Sequence, residues 1–268
     1  MQQTRRLPDR FLPLLVGAAL CLPGTLWAGA HTGGAKGPID EALASDVRTA
    51  DEKARDRNRQ PKKTLAFFGL KPDMKVVEIL PGGGWYTKIL VPVLSEDGEY
   101  YAAGGLGKAL GFGGILGGVR KIEGFEDINV IDLSPSMVKT DRFGYVDMGP
   151  VDFGVEDVDL VLTFRNLHNL APSGRMELYK AAYESLKDGG RFGVIDHTRR
   201  HMAPMTDEVW RRLDPVQVIK EITAAGFEFV DYSRLHYKPD DELRYEVGRQ
   251  SVRGNSDRFT LLFEKPSD

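Results

Sequence analysis

Cysteine is almost missing from this 268-residue chain, which holds a single one, Cys21. A lone thiol forms no internal disulfide framework, and everything after position 21 lacks a thiolate nucleophile or cysteine metal ligand. Charge of one sign is also missing. The 36 Lys and Arg face 39 Asp and Glu, mixed along the chain, for a net charge of −3. That balance gives no electrostatic footprint for nucleic acid or an anionic membrane. No apolar run is long enough to cross a bilayer. The run Phe11 to Leu22 is about 12 residues, broken by Pro13, against roughly 20 for a span. No internal repeat occurs.

The first thirty residues nevertheless have a pattern of their own. Arg5, Arg6 and Arg10 precede that apolar run, and Ala28-Gly29-Ala30 follows it. A positive segment, a short apolar centre and an A-x-A site describe a cleavable secretory signal, so the expectation is residues 1–30 removed and the chain exported to a periplasm-like compartment. Removal takes three arginines and one aspartate, leaving −5 instead of −3, and no stable membrane anchor. Residues 31–60 read as a glycine-rich leader and a charged helix from Ile39 to about Arg59, either a cap on the domain edge or a lid over a pocket.

From residue 61 to 268 the pattern is that of one α/β domain. Lys75 to Leu80, apolar but for Lys75 and Glu78, has the signature of a strand buried on both faces. Pro81, Gly82, Gly83 and Gly84 follow, then Trp85, Tyr86 and an amphipathic segment. A strand, a glycine turn and a helix start form the grammar of a nucleotide-like ligand site, because glycines admit close approach and the helix start presents free N–H groups. Further strands are expected at 99–103, 128–132, 158–163, 192–196, 227–232 and 259–264. Helices are expected at 173–187, closed by Gly189-Gly190, and from a capping box at Asp214–Gln217 to Gly226. Alternating strands and helices call for a mostly parallel sheet, and the last two strands, with no helix between them, for an antiparallel edge. Residues 104–118 hold eight glycines among Leu, Phe and Ile, a composition read as a mobile apolar loop near the site mouth or as an insertion without a role.

Three stretches in this order carry a resemblance: Glu78 to Gly84, Asp159 to His168, and Leu186-Lys-Asp-Gly-Gly190 to Asp196. Together they resemble the first motif, the fourth-strand motif and the fifth-strand hairpin of class I S-adenosylmethionine-dependent methyltransferases, over about residues 61–265. The stretches at 64–69, 81–87, 163–169 and 257–259 are similar, more narrowly, to a family of exported predicted methyltransferases. The resemblance implies a Rossmann-like α/β fold: a seven-stranded, mostly parallel sheet with an antiparallel edge strand and helices on both faces. It implies S-adenosyl-L-methionine as cofactor, held by Glu78, Pro81, Gly82, Gly83, Gly84, Trp85, Tyr86, Arg165 and Asn166, and a small-molecule methyl acceptor. Two positions depart from the family pattern. Leu80 stands where its first glycine belongs, and Gly104 where an acid for the ribose hydroxyls is usual, with Asp132 one strand further on as a remote substitute.

Methyl transfer asks mainly for alignment, with an optional base for the acceptor's proton. His168 is the first candidate base, since imidazole accepts a proton near neutral pH, with a hydrogen-bonded scaffold role as the alternative. Asn166, Asp196 and His197 end at the same sheet edge and complete the catalytic candidates. Glu78 either meets the ligand or caps the next helix; Trp85 and Tyr86 either line the pocket or pack on the sheet. His197, His201 and Asp207 look like a metal set, but Pro204 breaks the helix such spacing needs, so no metal is assigned. S-adenosylmethionine is a cytoplasmic metabolite, so the competing expectation is an exported binding protein or pseudoenzyme on the same fold.

Overall fold

A computed structural model of the chain describes residues 37–111 and 113–267. The signal-peptide reading of residues 1–30 and most of the leader therefore lie outside the described residues. Seven strands form one sheet: β1 Lys75–Ile79, β2 Glu99–Gly104, β3 Asn129–Asp132, β4 Val158–Phe164, β5 Leu186–His197, β6 Glu228–Tyr232 and β7 Arg258–Glu264. Their spatial order is β3-β2-β1-β4-β5-β7-β6. The first five are mutually parallel, while β7 runs antiparallel to both neighbours. The antiparallel pair thus ends the sheet, with β7 inserted one place in from the outermost β6.

Val76, Val77 and Ile79 explain why β1 sits centrally, since their side chains need apolar cover on both faces. One face receives it from α4 (Pro61–Phe68) and α5 (Thr87–Leu94), through Leu65, Phe68, Ile89 and Leu90. The other receives it from α7 (Pro172–Ser185) and α8 (Pro215–Ala224), through Leu178, Tyr179 and Ile222. Strand order reverses between β1 and β4, whose carboxyl ends stand level at Ile79 and Thr163. A doubly wound sheet opens its ligand crevice there.

Local structure departs from the sequence reading in several places; the helix expected at 173–187 ends at Ser185, and Gly189-Gly190 lie inside β5 instead of closing the helix. The Ile39–Arg59 helix is three short ones, α1 Pro38–Ala44, α2 Ala50–Ala54 and α3 Asp56–Arg59, because Thr49 and Glu52 form a reciprocal capping box that starts a new helix. At α8 only half of the expected box forms: Asp214 accepts from the Val216 N–H (3.0 Å), but Gln217 turns to Glu221 (2.9 Å) instead of reaching back. The glycine-rich 104–118 segment is partly regular, with α6 at Leu106–Leu110. Between β3 and β4 the crossover carries a two-stranded ribbon, Met137–Lys139 with Val146–Met148.

Candidate active site

The turn after β1 is built by an unusual residue. Leu80 takes a left-handed backbone (φ 52°) where glycine would sit without strain, and its N–H is held by the Ala103 carbonyl of β2 at 2.7 Å. Its side chain is buried, so apolar packing offsets the backbone cost. Beyond it, Gly82 and Gly83 leave open space: an added Cβ at Gly83 meets nothing within 4 Å. Gly84 differs. Its φ is 75° and an added Cβ collides with Val119 and Leu116, so this glycine seats the glycine-rich segment instead of facing a ligand.

Two cavities open over this loop and share one wall, Pro81, Gly82, Asn166 and Asn169. The first, about 340 Å³, is apolar; Leu80, Gly104, Leu106, Leu110, Ile115 and Leu116 line it. An added Cβ at Gly104 would lie 2.8 Å from the Ile115 Cγ2, so Ile115 occupies the room an acid there would need. Asp132 does not replace that acid. It lies outside this lining, ion-paired with Lys108 and bonded to the Ser134 hydroxyl (2.6 Å).

The second cavity, about 400 Å³, is polar and holds most of the candidates: Glu78, Trp85, Tyr86, Arg165, Asn166, His168 and His197. Behind His168 and His197 is Asp196, fully buried and outside the lining itself. One of its oxygens accepts from His168 Nδ1 (2.6 Å) and from the His197 N–H (2.7 Å), the other from the His168 N–H (3.1 Å). A carboxylate bound to Nδ1 fixes the imidazole's orientation and tautomer, which leaves Nε2 to accept a proton. His197, 5.4 Å away ring to ring, bonds through Nδ1 to the Ser256 hydroxyl at 2.9 Å. Burial, then the neighbouring His168 and Arg258, push its pKa well below the usual imidazole value, so it stays neutral. It is a fixed dipole, not a proton carrier.

Glu78 turns inward. Its Oε2 accepts from Thr87 Oγ1 (2.7 Å) and the Tyr100 hydroxyl (2.6 Å), and burial raises its pKa to about 7 despite those bonds. The Asn166 amide nitrogen donates to the carbonyls of Leu80 (2.7 Å) and Phe164 (3.0 Å), tying the ends of β1 and β4 together at the shared wall. Arg165 also sits on left-handed backbone (φ 64°), with its N–H on the Ile195 carbonyl at 2.6 Å. Tyr86 stacks on Phe164 (3.6 Å between centroids, 11° between planes), and Trp85 lies edge-on to Tyr86. Both aromatics line the pocket; Tyr86 also packs on the sheet, while Trp85 lies between Tyr86 and the Arg48 and Arg59 guanidinium groups.

Sequence reasoning missed Glu52, Arg55 and Arg59, which α2, α3 and the residue between them bring to the polar cavity, and Arg211 with Val247 from the carboxyl-terminal third. The linear signal for Glu52, Arg55 and Arg59 was a strongly charged helical stretch, and Arg211 and Val247 had none. The metal-like trio is dispersed: His197 goes to Ser256, His201 to Asp214 (2.9 Å) and Asp207 to Arg142 (2.7 Å). Among the described residues no cluster of three metal-ligating side chains occurs. His236 is buried against the Arg59 carbonyl (2.9 Å) and the Thr260 hydroxyl (2.7 Å).

No family model and no curated protein matches the chain. Solved structures do. A SAM-dependent methyltransferase from Aquifex aeolicus is similar with a TM-score of 0.52 at 16% identity, over 79% of this chain and 93% of that one. The fold is that of the class I methyltransferases. The Burkholderia thailandensis 1,6-didemethyltoxoflavin-N1-methyltransferase, crystallised with 1,6-didemethyltoxoflavin and S-adenosylhomocysteine, gives 0.51 at 13% identity over 79% and 78%. The [4+2]-cyclase SpnF gives 0.53 at 14% identity over 84% and 86%, so this fold also hosts a reaction of another class. At such identities the likeness establishes the fold, and chemistry must be argued from the cleft.

Proposed function

We propose that this chain is an S-adenosylmethionine-dependent methyltransferase acting on a small molecule in the two-part cleft at the switch point. The observation that carries the reading is His168, held by the buried Asp196, in the wall of a polar cavity that shares a wall with an apolar one. The residues present suit the cofactor in part. The open space over Gly82 and Gly83 admits close backbone approach, and the apolar cavity suits a flat heterocycle, whereas the packing of Ile115 on Gly104 leaves no carboxylate for ribose hydroxyls. Pro81, Gly82, Leu106 and Ile115 would hold the nucleoside part, with Asn166 and Asn169 at the junction. The bound cofactor supplies an electrophilic methyl group on a sulfonium sulfur. His168 Nε2 takes the acceptor's proton, Asp196 holds the ring through Nδ1, and His197 stays neutral beside it.

The Gly104–Ile115 packing is also what favours a second reading, a binding protein on this fold that takes another ligand. Calorimetry on the chain from His31 onward separates the two. Heat and a raised melting temperature with S-adenosylmethionine and with S-adenosylhomocysteine are expected, since a ligand of the native state must stabilise it. Silence at millimolar ligand overturns the cofactor assignment. The amino-terminal pattern supports export of this activity; sequencing the amino terminus of the protein recovered from a periplasmic fraction tests it, with His31 expected first.

A further inference from the structure

The polar cavity carries more positive charge than the reaction needs. Arg59 is 95% buried yet its guanidinium has no hydrogen-bond or ion-pair partner among the described residues; it lies over the Trp85 ring, 4.2 Å from the centroid. Arg165 and Arg55 line the same cavity, likewise without an ion pair among the described residues. Arg258 stands behind them, its Nε buried without a partner and its other nitrogens on the carbonyls of Asn58 (3.1 Å) and Gly254 (3.3 Å).

The carboxylates nearby are engaged elsewhere. Glu52 pairs with Lys88 (2.9 Å), Asp196 with His168, and Asp257 accepts from the Lys238 N–H (2.7 Å). Glu78 faces Arg59, but its Oε2 serves Thr87 and Tyr100. Arg211, a fourth arginine of the lining, is neutralised by Glu246 (2.6 Å).

Burial, then the charges of Arg165 and Arg55, push the Arg59 pKa down to about 8, and burial, then Arg165, push that of Arg258 to about 10. A guanidinium does not give up its proton readily, so such crowding is relieved by an anion more easily than by deprotonation. Burying an uncompensated charge is costly, and a fold that keeps one beside a cavity gains from a charged occupant. The stacked Tyr86–Phe164 pair and Trp85 supply flat apolar surface in the same cavity.

We propose that the polar cavity recognises a small planar organic anion, a carboxylate or phosphate, through Arg59, Arg165 and Arg55, and that this anion is the methyl acceptor. The second half of that statement rests on the methyltransferase reading; the first does not. It defines the acceptor by charge and shape: one anionic group toward the arginines, a flat apolar body against the aromatic wall, and the nucleophilic atom toward His168.

Benzoate and its neutral isostere benzamide are the probes, titrated calorimetrically with and without saturating S-adenosylhomocysteine. Benzoate is expected to bind in both conditions and benzamide at least about ten-fold more weakly, the loss that follows from removing a charge-assisted bond. Arg59→Met should weaken benzoate by a similar factor, with Arg59→Lys recovering part of it. Arg55→Met, at the exposed mouth, should weaken it less and cannot disturb the core. Equal binding of the two probes overturns the anion site. Displacement of benzoate by S-adenosylhomocysteine overturns the acceptor assignment, because the arginines then hold the cofactor's own carboxylate. Benzoate bound through Arg59 while S-adenosylhomocysteine is silent leaves the anion site standing and sinks the methyltransferase reading instead.

Discussion

Asp196 accepts three hydrogen bonds from two histidines, and that arrangement sets what a single substitution does. Asp196→Asn puts an N–H where the Nδ1 partner must accept, which turns the His168 ring toward the wrong tautomer. Turnover should fall about 100-fold, within the range of general base catalysis, and His168→Ala should fall as far. S-adenosylhomocysteine affinity measured by calorimetry should hold in both variants; a matching loss of affinity would make the pair structural. Glu78 acts on stability. Its folded pKa, about 7 against an ordinary 4.5, means the fold favours the protonated acid. Both states are protonated below 4.5, so nothing is lost there; stability then falls as pH rises toward 7 and stays lower above it. Glu78→Gln should therefore gain up to about 3 kcal/mol over the parent at pH 8 and almost nothing at pH 4, read from urea midpoints. An equal gap at both pH values would refute the buried-acid account.

At the scale of elements, the strands were legible because each buried one reads as an apolar run and each turn is punctuated by glycine or an acid. The central run Val76–Leu80 and the alternation of strand with helix carry most of the topology. The glycine-rich segment was not legible. What gives it a conformation is contact at a distance, Ile115 on Gly104 and Leu116 with Val119 on Gly84, and glycine spacing does not encode those partners. Gly84→Ala tests this. The new methyl strikes Val119 on a backbone at φ 75°, and a cost of about 1–3 kcal/mol is expected. Amide exchange should quicken selectively over residues 104–121; uniform quickening across β1 and β4 would mean that the loop, not the segment, had failed.

For the whole molecule, the sequence boundary at residue 61 divided the polar cavity between two regions. The 50–60 stretch, for which the sequence leaves a cap and a lid open, joins the body of the domain: Gln60 reaches the Leu235 carbonyl (2.7 Å), Arg258 the Asn58 carbonyl, and His236 the Arg59 carbonyl. Residues 58–60 are thus tied to residues 235–258 by contacts 175 to 200 positions apart in the sequence. His236 makes that tie sensitive to acid. Burial pushes its pKa down to about 4, so between pH 6.5 and 4 the unfolded chain takes up a proton that the fold excludes. Stability is therefore lost as pH falls through this window, by up to about 3 kcal/mol, and His236→Gln should flatten the slope in urea unfolding. An unchanged slope would assign the acid loss to other groups. The wall of Pro81, Gly82, Asn166 and Asn169 has a further consequence. An occupant of one compartment becomes a surface of the other, so the two binding equilibria are thermodynamically linked. By whatever factor the first arrival alters the second's affinity, the second alters the first's equally, whichever of the two binds first.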